Sequence, residues 1–126
     1  MIVLDTAALL FWTLDPLKLS RAARRELDRA ERLVISSISV WEVALKVRRA
    51  KLVIKPPIEE YVAGLSRLDR LDIEPVDVAT WLASVGLDWQ HRDPADRVIV
   101  ATAMHHDCPL VTSDRTIAEF YTRTIW

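Results

Sequence analysis

Short, uninterrupted apolar runs alternate along this chain with longer segments whose apolar positions recur every three or four residues. Met1-Ile2-Val3-Leu4, Leu33-Val34-Ile35 and Pro109-Leu110-Val111-Thr112 are of the first kind, and the less apolar stretches 71–76 and 122–126 are read as strands beside them. Runs this short, with no polar alternation, predict strands buried on both faces, as in a parallel sheet, with 122–126 as an edge strand. The segments between them read as helices. One spans 7–14 and stops at Asp15-Pro16; the next spans 21–32, with Ser20 as its cap and Ala23, Leu27 and Ala30 at helical spacing. Ser39 is read as the cap of a third, in which Val40, Val43, Ala44 and Val47 form one stripe. Pro56-Pro57 interrupts the chain before helices over 58–68 and 78–85, and 89–93 is a polar loop. Pro94 suits the first turn of a helix leading through 96–106, where Thr102 is the only polar residue between Val98 and Met104. A short helix starts near Asp114. The alternation predicts a doubly wound α/β fold, its mainly parallel sheet flanked by helices on both faces.

The length of 126 residues fits one domain, 1–126, and an apolar content of 51% excludes a disordered chain. The formal net charge of −1 excludes a module that grips nucleic acid by bulk electrostatics. It leaves room for a nuclease, because a bound metal brings positive charge to the site itself. The single cysteine, Cys108, can form neither an internal disulfide nor a thiolate zinc site. The chain opens on a strand-like run without a charged leader, and no apolar stretch approaches the roughly 20 residues that span a bilayer. The expectation is a soluble cytoplasmic protein that makes no membrane contact.

Four acids fall where elements meet. Asp5 closes the first apolar run, Asp114 closes the fourth, and Glu42 and Asp96 lie on polar faces of predicted helices. Ligands of open parallel sheets gather at the carboxyl ends of the strands. Two carboxylates delivered there repel each other unless protons or a cation neutralise them. Hard oxygen donors of this kind suit Mg²⁺ or Mn²⁺, and such sites most often handle phosphate esters. Each acid also has a plain structural reading: Glu42 as a solvated partner of Lys46, Asp96 as a first-turn acid, Asp114 as a helix cap. With Gly64 and Gly86 the only glycines, no phosphate-binding glycine loop or dinucleotide fingerprint can be written. Aspartyl-phosphate chemistry on Asp5 fails because Ala7 stands where dehalogenase-like phosphatases have a second Asp, and no lysine follows Lys55.

The words around these acids narrow the reading. Ile2-Val3-Leu4-Asp5-Thr6, Ile38-Ser39-Val40-Trp41-Glu42-Val43-Ala44-Leu45-Lys46, His91-Arg92-Asp93-Pro94-Ala95-Asp96-Arg97 and Leu110-Val111-Thr112-Ser113-Asp114 resemble, in order and spacing, the PIN-domain family. The likeness is strongest to the VapC toxins of bacterial and archaeal toxin–antitoxin pairs, and it covers essentially the whole chain. Arg49-Ala50-Lys51-Leu52 departs from the family pattern, which often has a glycine before Lys-Leu. The resemblance implies a sheet order of 3-2-1-4-5, setting Asp5 beside Asp114. It further implies a metal-dependent endoribonuclease, with Asp5, Glu42, Asp96 and Asp114 as catalytic acids and ligands of Mg²⁺ or Mn²⁺. A cognate VapB-like antitoxin, an RNA substrate and a homodimer are the implied partners.

Supporting roles are assigned around the quartet. Thr6, Thr112 and Ser113 offer hydroxyls to the carboxylates or the phosphate. Asp93 is a helix cap or an outer member of the site. Arg97 holds the carboxylates or contacts phosphate, and His91 lies near the substrate path. Trp89 is the candidate for stacking on a base. Adjacent helical positions point about 100° apart, so His105 and His106 do not converge with Cys108 on zinc. The clusters Arg21, Arg24, Arg25 and Arg48, Arg49, Lys51 are read as solvated faces or RNA contacts. The helices over 7–12 and 40–47 carry more apolar bulk than one sheet face needs, which predicts surface shared with a partner. Two other readings use the same residues: a catalytically silent scaffold in a transcription-repressing complex, and a nuclease of RNA processing or DNA.

Overall fold

The computed structural model describes residues 1–126. Its elements are β1 (Ile2–Leu4), α1 (Thr6–Leu14), a 3₁₀ turn (Pro16–Lys18), α2 (Arg21–Arg29), β2 (Leu33–Ser36), α3 (Ser37–Arg48), α4 (Ile58–Ser66), β3 (Leu71–Glu74), α5 (Val78–Gly86), α6 (Pro94–His105), β4 (Leu110–Val111), α7 (Arg115–Phe120) and β5 (Thr124–Ile125). All five strands are parallel, in the order β3-β2-β1-β4-β5. That is the order the resemblance implies. β5 is indeed an edge strand, although only two residues of it pair.

β1, β4 and the first three residues of β2 are apolar because both faces of the sheet are covered there, whereas the edge strand β3 carries Asp72 and Glu74 and is only partly buried. Alternate side chains divide between two cores: Ile2, Leu4, Leu33, Ile35 and Val111 pack toward α1, α2, α3 and α4. Val3, Val34 and Leu110 pack toward α6 and α7. A fully buried Leu or Ile at such a position stabilises the fold by roughly 1.5–3 kcal/mol relative to exposure.

One cap differs from the expectation. Ser36, not Ser39, is the N-cap of α3, with its hydroxyl accepting from the Ile38 amide at 3.3 Å. β2 runs straight into α3 without a loop, so the helix begins three residues earlier and Ser39 falls in its buried interior. At the other end Ala50 has φ 54°, a left-handed conformation that costs a residue bearing a Cβ roughly 1–2 kcal/mol. The amides of Lys51 and Leu52 return to the Lys46 carbonyl at 2.9 and 3.3 Å, which folds Lys51 back beside the last turn of α3.

Part of the predicted apolar surplus is exposed, with Trp41 of the 40–47 segment at 54%. Leu10, Phe11, Trp12, Val40 and Val47 pack at least partly against the first core. The exposed apolar side chains are concentrated on α5, where Val78 (73%), Leu82 (69%) and Val85 (78%) project with Trp81 at helical spacing. No helix is long and apolar enough to cross a membrane.

Candidate active site

The chain reverses its direction of travel across the sheet between β1 and β4, the switch point where ligands of open parallel sheets bind. Leu4 is in register with Val111, so the next residues, Asp5 and Thr112, leave the sheet together at its carboxyl edge. The Asp5 amide donates to the Val111 carbonyl at 3.1 Å. Asp5 is also the N-cap of α1: one carboxylate oxygen accepts from the Ala8 amide at 2.7 Å, and the other accepts from the Thr112 hydroxyl. Thr112 in turn accepts from the Asp114 amide at 3.0 Å. Asp114 caps α7, taking the amides of Thr116 (2.8 Å) and Ile117 (3.4 Å). Ser113 between them is exposed.

Glu42 is not a solvated partner of Lys46. It is half-buried, and the Thr6 hydroxyl donates to its Oε1 at 2.5 Å while lying 2.9 Å from the Ser39 hydroxyl. Asp93 caps α6 by accepting from the Asp96 amide at 3.0 Å. Asp96, one turn in, meets the His91 ring at 2.7 Å. The Thr6–Glu42 and His91–Asp96 contacts went unread in the sequence. The first joins positions 36 residues apart and has no local signature; for the second, the spacing of His91-Arg92-Asp93-Pro94-Ala95-Asp96 across a helix start was the available signal.

Electrostatics ties these groups into one cluster. Burial pushes the Asp5 carboxyl up to about 6 against the Thr112 and Ala8 donors, and the charges of Asp96 and Asp114 add to the rise. Burial also raises Glu42, opposed by the Thr6 hydroxyl and the Lys46 charge and reinforced by Asp93 and Asp96. Asp96 is raised by burial and by Asp93 and Asp114, with His91 pulling the other way. The acids are therefore close enough to oppose one another's ionisation, and the only side-chain charges that work against the rise are Lys46 at Glu42 and His91 at Asp96. No three His, Cys, Asp or Glu side chains converge as a ready-made metal cage in this arrangement, because each carboxylate is already held by protein donors. The donor set itself, carboxylates and hydroxyls around a charge deficit, fits a hard divalent cation.

Asp5 predicts a measurable pH dependence. Its folded pKa of about 6 lies above its ordinary 3.8, so the folded state holds a proton that the unfolded chain releases between roughly pH 4 and 6. Stability in the metal-free state falls across that window, by up to about 3 kcal/mol from this group. Urea unfolding in EDTA should show Asp5→Asn gaining on the wild type as pH rises through the window. A difference between the two that stays flat with pH would contradict the assignment.

Two predicted roles are corrected. Arg97 is half-buried and touches no carboxylate. Its guanidinium donates to five backbone carbonyls: Ser84 (2.8 Å), Val85 (3.2 Å), Leu87 (2.8 Å), Trp89 (2.6 Å) and His91 (2.9 Å). It binds the end of α5 and the following loop to α6. Trp89 lies flat on Phe120, with ring centroids 4.8 Å apart and planes 12° apart, and packs against the second core. That face is not free for a base. Away from the site, His106 meets Glu74 at 2.6 Å, and Cys108 is buried.

A family model described as PIN domain matches residues 2–122. Ribonuclease VapC22 of Mycobacterium tuberculosis is 32% identical over 118 residues, covering 92% of this chain and 88% of that protein. A toxin-antitoxin complex from Klebsiella pneumoniae aligns over 100% of this chain and 97% of its own, with a TM-score of 0.71 at 19% identity. VapC20 of Mycobacterium tuberculosis, described as a sarcin-ricin loop cleaving toxin, aligns over 94% of both chains with a TM-score of 0.69 at 15% identity. VapBC2 from Rickettsia felis, bound to a DNA fragment from its promoter, aligns over 100% of both with a TM-score of 0.65 at 17% identity. At these identities the likeness to the solved structures concerns the fold.

Proposed function

This chain belongs to the PIN-domain family and is a homologue of VapC ribonuclease toxins, and we propose that it is a metal-dependent endoribonuclease acting as the toxin of a toxin–antitoxin pair. The observation that carries the reading is the gathering of Asp5, Asp96 and Asp114 charge at the sheet's switch point, with Glu42 opposed in turn by Asp96. These four side chains would hold Mg²⁺ or Mn²⁺, which supplies a water of lowered pKa and neutralises charge at the scissile phosphate. The chain's own residues do the positioning. Thr112 fixes the free oxygen of Asp5, Thr6 orients Glu42 from the neighbouring helix, and His91 aims Asp96. Burial and like charge favour the protonated forms of Asp5, Glu42 and Asp96, so an entering cation competes with protons there and metal affinity rises with pH.

The Klebsiella and Rickettsia structures are assemblies of toxin with antitoxin, which supports an antitoxin partner here. A peptide laid along the groove leading to Asp5 and Glu42 would silence the site by setting a guanidinium against the carboxylates, since Arg engages them in a fixed planar fork. The exposed stripe of α5 supports a further contact, between two copies. Expression of the chain alone should arrest growth, and co-expression of the adjacent reading frame should restore it and raise the mass in solution. A harmless monomer indifferent to its neighbour would sink the toxin assignment and leave the nuclease chemistry to be judged separately.

A further inference from the structure

Three cations line the same cleft as Glu42. The cleft, about 260 Å³, runs between α3 and the start of α6 and is walled by Trp41, Glu42, Lys46, Arg49, Lys51 and Asp93 among others. All three basic side chains are exposed. None takes part in the chain's ion pairs, which join Lys18 to Asp15, Arg32 to Asp72, His91 to Asp96, His106 to Glu74 and Arg123 to Asp107. The dipole of α3 accounts for a basic residue in its last turn. It does not account for Lys51, which lies beyond the helix and is turned back toward Lys46 through the left-handed Ala50. The fold thus gathers unpaired positive charge beside the acids in a chain whose net charge is −1.

We propose that Lys46, Arg49 and Lys51 form a phosphate-binding track that holds the single-stranded RNA backbone next to the carboxylates, with Trp41 as an aromatic wall for an adjoining base. This rests on the ribonuclease reading above. A polyanion brought to an acidic site needs cations for the phosphates that flank the scissile one, since the metal neutralises charge only at the centre. Lys46 lies one helical turn beyond Glu42, Arg49 about two turns beyond it, and Lys51 is folded back beside the end of the helix, so the track supplies them. Trp41 is 54% exposed and immediately precedes Glu42, whereas Trp89 is already stacked. Base stacking on an indole is tolerant of sequence, and backbone contact by Lys and Arg is independent of it. The track therefore fixes the path of the strand and leaves the choice of sequence to other contacts.

The test uses the full chain carrying Asp96→Asn, so that RNA is bound without being cut, and measures anisotropy of a labelled single-stranded RNA across a salt series. Arg49→Gln and Lys51→Gln should each lower the slope of log affinity against log salt by about 0.7. Trp41→Leu should weaken binding with the slope unchanged. Arg21→Gln with Arg25→Gln, a larger charge loss on exposed α2, should leave the slope as it was. With Asp96 intact, the Arg49 and Lys51 variants should raise KM and spare kcat. Unchanged slopes and KM in a chain that still cleaves RNA would overturn the track and leave the nuclease standing. So would a change in the mass of the Arg49 or Lys51 variants in solution, which would make the patch a contact between copies. A wild-type chain that neither binds nor cleaves RNA would remove the ribonuclease reading and the track with it.

Discussion

Asp96→Asn is expected to lower RNA cleavage by about 10²–10⁴-fold while the fold persists. Asn keeps the shape of the side chain and can still engage the His91 ring, which lies 2.7 Å from the Asp96 carboxylate. What it removes is the charge that would hold a cation. The same substitution relieves repulsion, because Asp93 and Asp114 both oppose the ionisation of Asp96. Against that stands the modest attraction of a first-turn acid for the N-terminus of α6, worth about 0.3–1 kcal/mol. The two nearly offset, so stability in EDTA should change little or rise. Urea unfolding and a cleavage assay on one preparation separate the roles. Retained cleavage, or a loss of more than about 2 kcal/mol in the metal-free state, would mark Asp96 as structural.

Arg97→Ala should be among the most destabilising single substitutions outside the apolar core, at about 3–5 kcal/mol. All five guanidinium N–H groups are used, each on a backbone carbonyl. Two of those carbonyls, Ser84 and Val85, belong to the last turn of α5, where helical carbonyls lack partners of their own. The other three belong to the loop that carries His91 to Asp96. Truncation strands acceptors that are mostly half-buried and frees the loop. Arg97→Lys should recover little, since an ammonium cannot serve five acceptors spread around a planar fork. Because the His91 carbonyl is one of the five, cleavage should fall in both variants even below their melting temperatures. Denaturant titrations of the wild type and the two variants check this; a loss under about 1 kcal/mol for Arg97→Ala would show that the loop holds without the clamp.

The parts of the fold set by repeating pattern were legible in the chain. Unbroken apolar runs such as Ile2-Val3-Leu4 and Leu33-Val34-Ile35 can only be central strands, because alternate side chains have to satisfy two separate cores. The acids at strand ends were legible for the same reason: Asp5 follows the last buried residue of β1. What escaped depends on contacts between distant segments. Ser39 has the composition of a cap, yet the direct passage of β2 into α3 places it inside the helix, against Thr6. Arg97 sits beside Asp96 in sequence, but helical geometry turns it toward carbonyls up to 13 residues earlier. α5 is apolar on nearly every side, the pattern of a buried helix, and yet it lies at the surface with Val78, Leu82 and Val85 exposed. Only the arrangement of its neighbours decides that.

The central claim is that Asp5, Glu42, Asp96 and Asp114 form a divalent-metal site that cleaves RNA. Its most direct test is to incubate the purified chain with a labelled single-stranded RNA in Mn²⁺ or Mg²⁺, and again after excess EDTA. Cleavage should appear with either cation, stop in chelator, return when the cation is restored, and persist in Cys108→Ala. Cleavage that continues undiminished in excess EDTA would contradict the site proposed here.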